Sequence, residues 1–169
     1  MGFSGINNFP THTIVDGQFG QSIEETNMGV QKEIDCVDLA TSKMDLFSIT
    51  YVANPEEAAK MAKAGADVVI AHVGCTVGGS IGVSDAALGL DQAAQATQAI
   101  CEGAHSVNKD CLVLSHGGPI LTPADAAYIN ERTDTVGFVG ASSIERIAVE
   151  SSITDLTREF KSIPVKRIK

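Results

Sequence analysis

Two histidines close apolar runs, where an imidazole can exchange protons beside uncovered backbone amides. His116 follows CLVLS (111–115) and precedes Gly117, Gly118 and Pro119, and His72 follows DVVIA (67–71) ahead of a glycine-rich stretch over residues 78–82. The carboxyl ends of strands are where βα proteins keep their ligands, so two such histidines point to one shared site. His116 is a candidate general acid or base, and the Gly117 and Gly118 amides are candidates to receive a phosphate or carboxylate oxygen. The competing reading is a glycine turn with His116 bonded to nearby backbone. His72 with Gly79 and Ser80 reads either as proton carrier and water-excluding cover or as a core histidine beside a loose loop. Gly140, Ala141, Ser142 and Ser143 end another apolar run and open a helix, an arrangement suited to an anion. Ser142 or Ser143 as simple N-cap, with Arg146 exposed or salt-bridged, is compatible with that role. Asn8 and His12 fall near the same mouth, whereas His105 falls on a helix surface. Cys75, three residues after His72, has the placement of a thiolate nucleophile, but Cys101 and Cys111 read as packing residues.

The elements that position these groups alternate short apolar runs with longer amphipathic stretches, the pattern of repeated βα units. Five units are legible. Strands are expected over 3–9, 46–52, 67–73, 111–115 and 135–139, and helices over 24–43, 55–64, 90–107, 123–132 and 144–160. The connection carrying His12, Asp16 and Gly17 is longer than the usual two to six residues, which favours a functional loop. Asn54-Pro55-Glu56-Glu57 and Thr122-Pro123-Ala124-Asp125 each supply an N-cap, a proline at the first helical position and an acidic third residue. Five units suit an open doubly wound, flavodoxin-like sheet, since a closed (β/α)₈ barrel needs eight; neither a GxGxxG turn after the first strand nor a Walker A pattern supports a nucleotide site, however.

Composition narrows the functional classes. The chain has 169 residues, 44% hydrophobic and 20% charged, as expected of one globular domain spanning 1–169. A net charge of −9 argues against binding nucleic acid by phosphate neutralisation. The four cysteines have no CxxC pairing, and no signal peptide or membrane anchor is legible, so the expectation is a cytoplasmic protein with reduced thiols.

The strings GFSGINNFPT (2–11), EETNMG (24–29), NPEEA (54–58), AGAD (64–67), AHVGCTVGGSIG (71–82), SHGGPI (115–120) and GFVGASSIER (137–146) resemble the phosphoenolpyruvate hydrolase-like TIM-barrel family of the phosphoenolpyruvate/pyruvate superfamily. The resemblance covers nearly the whole chain. It implies a (β/α) TIM-barrel type truncated to about five parallel units, with the N-terminal units missing. Two strand edges and apolar surface would then be exposed, so a homo-oligomer or association with the missing units is expected. The implied substrate is a small carboxylate bearing a phosphate or phosphonate, held by Gly117, Gly118 and residues 140–143, with His116 or His72 moving a proton. Related enzymes bind magnesium through carboxylates, which makes Asp16, with Glu24 and Glu25, a candidate to hold a divalent cation and Asp16 a candidate catalytic group. Glu24 and Glu25 equally suit the first turn of a helix. A catalytically silent interaction module is the alternative of a different class.

Overall fold

A computed structural model describes residues 2–15, 17–82 and 88–164. Five strands, β1 (Gly5–Asn7), β2 (Phe47–Val52), β3 (Val68–His72), β4 (Leu112–His116) and β5 (Gly137–Phe138), form one sheet. The helices are α1 (Gly17–Glu25), α2 (Val30–Met44), α3 (Pro55–Lys63), α4 (Leu90–His105), α5 (Pro123–Asn130), α6 (Ser142–Glu145) and α7 (Ile147–Ser162). The strand order is β1-β2-β3-β4-β5 and every pairing is parallel. Each crossover therefore advances the chain by one strand in the same direction, and the connections, being right-handed, keep their helices on one face. A doubly wound sheet reverses its order at a switch point, and this one does not. The fold is of the barrel type, and the flavodoxin-like alternative is overturned. β1 and β5 do not pair, so within the described residues the sheet remains open.

Side chains alternate between the two faces. Val52, Val69, Ala71 and Val113 point toward the helices and pack with Ile34, Val37, Met61, Ile100, Cys101 and Ala104. A second cluster joins Val73, Ala93, Ala94, Ile120 and Ile129, with Phe138 against it. Buried hydroxyls on the helix side link neighbouring strands. Ser48 Oγ lies 3.0 Å from Asp67 Oδ2, Thr50 Oγ1 donates to the Val68 carbonyl at 3.3 Å and Ser115 Oγ to the Gly137 carbonyl at 3.3 Å. The opposite face carries Tyr51, Ile70, Leu114, His72 and His116. At its amino-terminal end Phe47 and Leu112 each stay 48% exposed.

Several expected boundaries move. The helix expected over 24–43 is two helices, because Asn27 adopts a left-handed φ of 57° and Glu24 Oε1 accepts the Val30 N–H at 2.9 Å, capping α2 from outside. Glu24 and Glu25 thus end α1 rather than begin a helix. β1 is shorter than 3–9, because beyond Asn7 the Asn8 side chain substitutes for backbone: its Oδ1 accepts the Tyr51 N–H at 2.7 Å and its Nδ2 donates to the Tyr51 carbonyl at 3.1 Å. The last helix starts at Ser142 and breaks at Arg146. Its apolar residues Val149, Ile153 and Leu156 are exposed, at 42%, 61% and 55%, rather than packed. His105 is half-buried rather than on the surface, with Nε2 3.0 Å from the Cys111 carbonyl. Cys101 and Cys111 are buried as packing residues, and burial pushes their thiols up to about 12 and about 11.

The close approach of α3 and α4 depends on Gly103. A Cβ there would overlap the Pro55 carbonyl oxygen and stand 2.8 Å from the Pro55 Cα. Glycine to alanine inside a helix normally stabilises by up to about 1 kcal/mol. Here the sign reverses: Gly103→Ala is expected to destabilise by about 1–3 kcal/mol, read as a lower urea midpoint.

Candidate active site

The parallel register sets His72 beside His116. Their ring centroids are 5.2 Å apart. Tyr51 on β2 meets both edge-on, at 5.2 Å from His116 and 6.2 Å from His72, and Phe9 packs on the tyrosine at 5.1 Å. Backbone groups orient each imidazole. His116 Nδ1 lies 2.8 Å from the carbonyl of Val139, just past β5, and His72 Nδ1 accepts the Gly74 N–H at 3.3 Å. Burial, and then the neighbouring His116, push the His72 pKa down to about 4. Burial likewise lowers His116 and raises Tyr51. At neutral pH both imidazoles are uncharged.

Gly117 and Gly118 have left-handed φ values of 82° and 54°, and a Cβ on either would collide with the backbone of the loop after β3. That closeness lets the Gly118 N–H donate to the Gly74 carbonyl at 2.7 Å, while the Val77 N–H donates to the Gly118 carbonyl at 3.1 Å. The expectation that both glycine amides receive an anion is corrected for Gly118, whose amide is already bonded. Both readings of His116 hold together, since it is a strand-end imidazole that is also bonded to backbone.

Residues 78–80 are held in place. Arg146 donates to the Gly78 carbonyl at 3.3 Å and pairs with Glu150 at 3.0 Å, and Glu150 Oε2 accepts the Ser80 N–H at 2.8 Å. The Ser80 N–H, followed by Arg146, keeps the Glu150 carboxyl below the usual range. Gly79 and Ser80 therefore sit on a loop clamped to α7, not on a loose one. Neither serine of residues 140–143 is an N-cap: Ala141 caps α6, with no side-chain bond, and Ser142 and Ser143 are half-buried in its first turn.

Asn8 acts one step removed from the histidines. Besides bracketing the Tyr51 backbone, its Nδ2 donates to Glu33 Oε2 at 2.6 Å, and Glu33 also accepts from Thr11 Oγ1 and the His12 N–H, both at 2.7 Å. Thr13 Oγ1 donates to Glu57 Oε2, tying the same segment to α3. Asn8 thus spends its polar groups on structure. Asp16 lies outside the described residues. Glu24 is occupied with Val30, and among the described residues no three His, Cys, Asp or Glu side chains converge to hold a metal ion. Cys75 is exposed in the loop after β3.

The structure thus brings together His72, His116, Gly117 and Gly118, with residues 140–143 joined to them through Val139 and residues 79–80 through the shared loop. Sequence reasoning missed Tyr51, Glu33 and the Arg146–Glu150 clamp. Tyr51 had a signal, an aromatic with a polar tip near the end of an apolar strand. The others depend on partners 20 to 70 residues away, which spacing does not reveal.

Five parallel units wound in one direction, with two imidazoles at adjacent strand ends, define a barrel-type α/β protein. The sequence profile of the Phosphoenolpyruvate hydrolase-like family matches residues 1–163, and the chain belongs to that family. The tomato (Solanum lycopersicum) ToMV susceptible protein tm-1(GCR26) is 45% identical over 98% of this chain and 22% of its own length. The y4pA protein of Sinorhizobium fredii, named for transcriptional regulation, is 34% identical over 96% of this chain and 26% of its own length. The chain thus spans about a quarter of the length of these relatives. Among solved structures, N-acetylmannosamine-6-phosphate 2-epimerase from Clostridium perfringens is similar at 18% identity and a TM-score of 0.44, over 78% of this chain and 49% of that one. Among the described residues no helix is long and apolar enough to cross a membrane.

Two outcomes follow from the geometry. Glu150→Ala is expected to speed amide exchange at Ser80 by at least tenfold without unfolding the sheet, measured by hydrogen exchange with mass spectrometry. Both histidines titrate lower in the folded chain than the ordinary 6.5, so as pH falls the unfolded chain takes up protons first. Their contribution to stability is complete above pH 6.5 and is lost as pH falls toward about 4. Over that window the melting temperature of the wild type should fall roughly 5 °C further than that of His72→Gln/His116→Gln, by calorimetry.

Proposed function

We propose that this chain carries the acid/base face of a barrel enzyme acting on a small carboxylate that bears a phosphate or phosphonate, similar to phosphoenolpyruvate. One observation carries the reading: two neutral imidazoles in register at adjacent strand ends, each oriented by backbone and both against one tyrosine. Neutral imidazoles are poised to move protons at physiological pH. The substrate class is the one the family's description suggests. In this reading the Gly117 amide and the first turn of α6, with Ser142 and Ser143, hold the anion, and the clamped loop of Gly79 and Ser80 limits the entry of water. The reaction is of the hydrolase or lyase type and takes place in the cytoplasm.

The second reading is a silent interaction module. What favours it is the helix-free face, where Phe47 and Leu112 are each 48% exposed between two open strand edges. A homo-oligomer or further barrel units from outside this segment would cover that face.

Incubation with phosphoenolpyruvate separates the two readings. The enzyme reading expects release of phosphate or pyruvate that falls at least 100-fold in His116→Ala, with the ligand raising the melting temperature of the wild type. Neither turnover nor stabilisation, together with a discrete oligomer by light scattering, would favour the module.

A further inference from the structure

We propose that the two histidines have fixed and opposite roles, His116 presenting a bare Nε2 as base and His72 an Nε2–H as hydrogen-bond donor, on a small carbonyl compound with an acidic C–H. This rests on the reading above, that the strand-end pair is the reacting site, and adds the direction of proton flow and the functional group acted on.

The assignment comes from the backbone. The Val139 carbonyl can only accept, so the 2.8 Å contact places a proton on His116 Nδ1. A neutral imidazole has one N–H, which leaves His116 Nε2 with its lone pair. The Gly74 amide can only donate, so the 3.3 Å contact requires a bare Nδ1 on His72, and its proton resides on Nε2. Among the described residues the titratable groups facing His72 are His116 on β4 and Tyr51 on β2, and those facing His116 are His72 and Tyr51. No carboxylate among the described residues lies against either ring; backbone contacts, the Val139 carbonyl for His116, favour the charged forms, and burial outweighs them and keeps both neutral. Gly117 lies on the donor side, where a Cβ would come within 3.9 Å of His72 Nε2.

An acceptor and a donor on rings 5.2 Å apart suit the two ends of a C–H/C=O unit. In the forward step the substrate C–H bond breaks and its proton goes to His116 Nε2. The electron pair forms the C=C bond, and the carbonyl π pair moves onto oxygen. His72 Nε2–H donates a hydrogen bond to that oxygen without giving up its proton, the role suited to a neutral imidazole. The His116 imidazolium then returns the proton to carbon, so the step needs no oxidant or reductant. A triad-type acyl transfer would instead need a carboxylate on His116 Nδ1, where the Val139 carbonyl stands.

The test begins without any substrate. In the ¹⁵N-labelled protein at pH 7, long-range proton–nitrogen correlations should place the proton on Nδ1 of His116 and on Nε2 of His72. His116→Gln should also raise the His72 pKa, because a cationic neighbour is removed. Pyruvate in D₂O is then the probe, with loss of its methyl proton signal expected in the wild type and a decrease of at least 100-fold in His116→Gln. The same tautomer at both residues, the reverse assignment, or no His116-dependent exchange overturns the proposal. Failure of the reading above registers separately, as phosphoenolpyruvate that neither stabilises the protein nor turns over while tautomers and pyruvate exchange are as assigned.

Discussion

The parallel ladder between β3 and β4 is the constraint on which the rest depends. It runs from Val68 opposite Leu112 to His72 opposite His116, and the two-residue period then places both imidazoles on the face away from the helices. A slip of one residue would turn one histidine into the layer that holds Met61 and Ile100 and expose a valine in exchange. Buried hydroxyls oppose a shift of either strand against its outer neighbour, Ser48 and Thr50 bonding to Asp67 and Val68 at the start of β3 and Ser115 on β4 to Gly137 on β5. The site is therefore a by-product of sheet register, and its precision comes from strands rather than loops.

Much of the architecture could be read from the chain. Apolar runs without polar alternation announced β3 and β4, and the Asn54-Pro55 and Thr122-Pro123 caps placed the starts of α3 and α5. The strand-end histidines came directly from that reading. What stayed hidden depends on distant partners. Nothing local reports that Asn8 completes the hydrogen bonding of Tyr51, 43 residues on, or that Glu150 holds Ser80, 70 residues back. The choice between barrel-type and doubly wound sheets was equally invisible to periodicity, since both use the same βα unit and differ only in strand order.

The acidity of the chain acquires a structural meaning. Glu24, Glu33, Glu57, Asp67, Asp125 and Glu150 each accept a backbone N–H from a loop, a helix start or a strand end. These carboxylates work as fasteners, satisfying amides that the helices and strands leave unpaired. Among the described residues the imidazole pair, by contrast, is neighboured by aromatic rings and backbone, away from these carboxylates.

Tyr51 has a consequence of an optical kind. The chain contains no tryptophan and two tyrosines. Tyr128 is hydrogen-bonded to Asp91 and lies under Arg132, whereas Tyr51 touches both imidazoles. A change in charge at either histidine alters the surroundings of one buried phenol, and the other phenol, Tyr128, lies in a different environment. Near-ultraviolet spectroscopy of the unlabelled protein thus has a chromophore built into the candidate site.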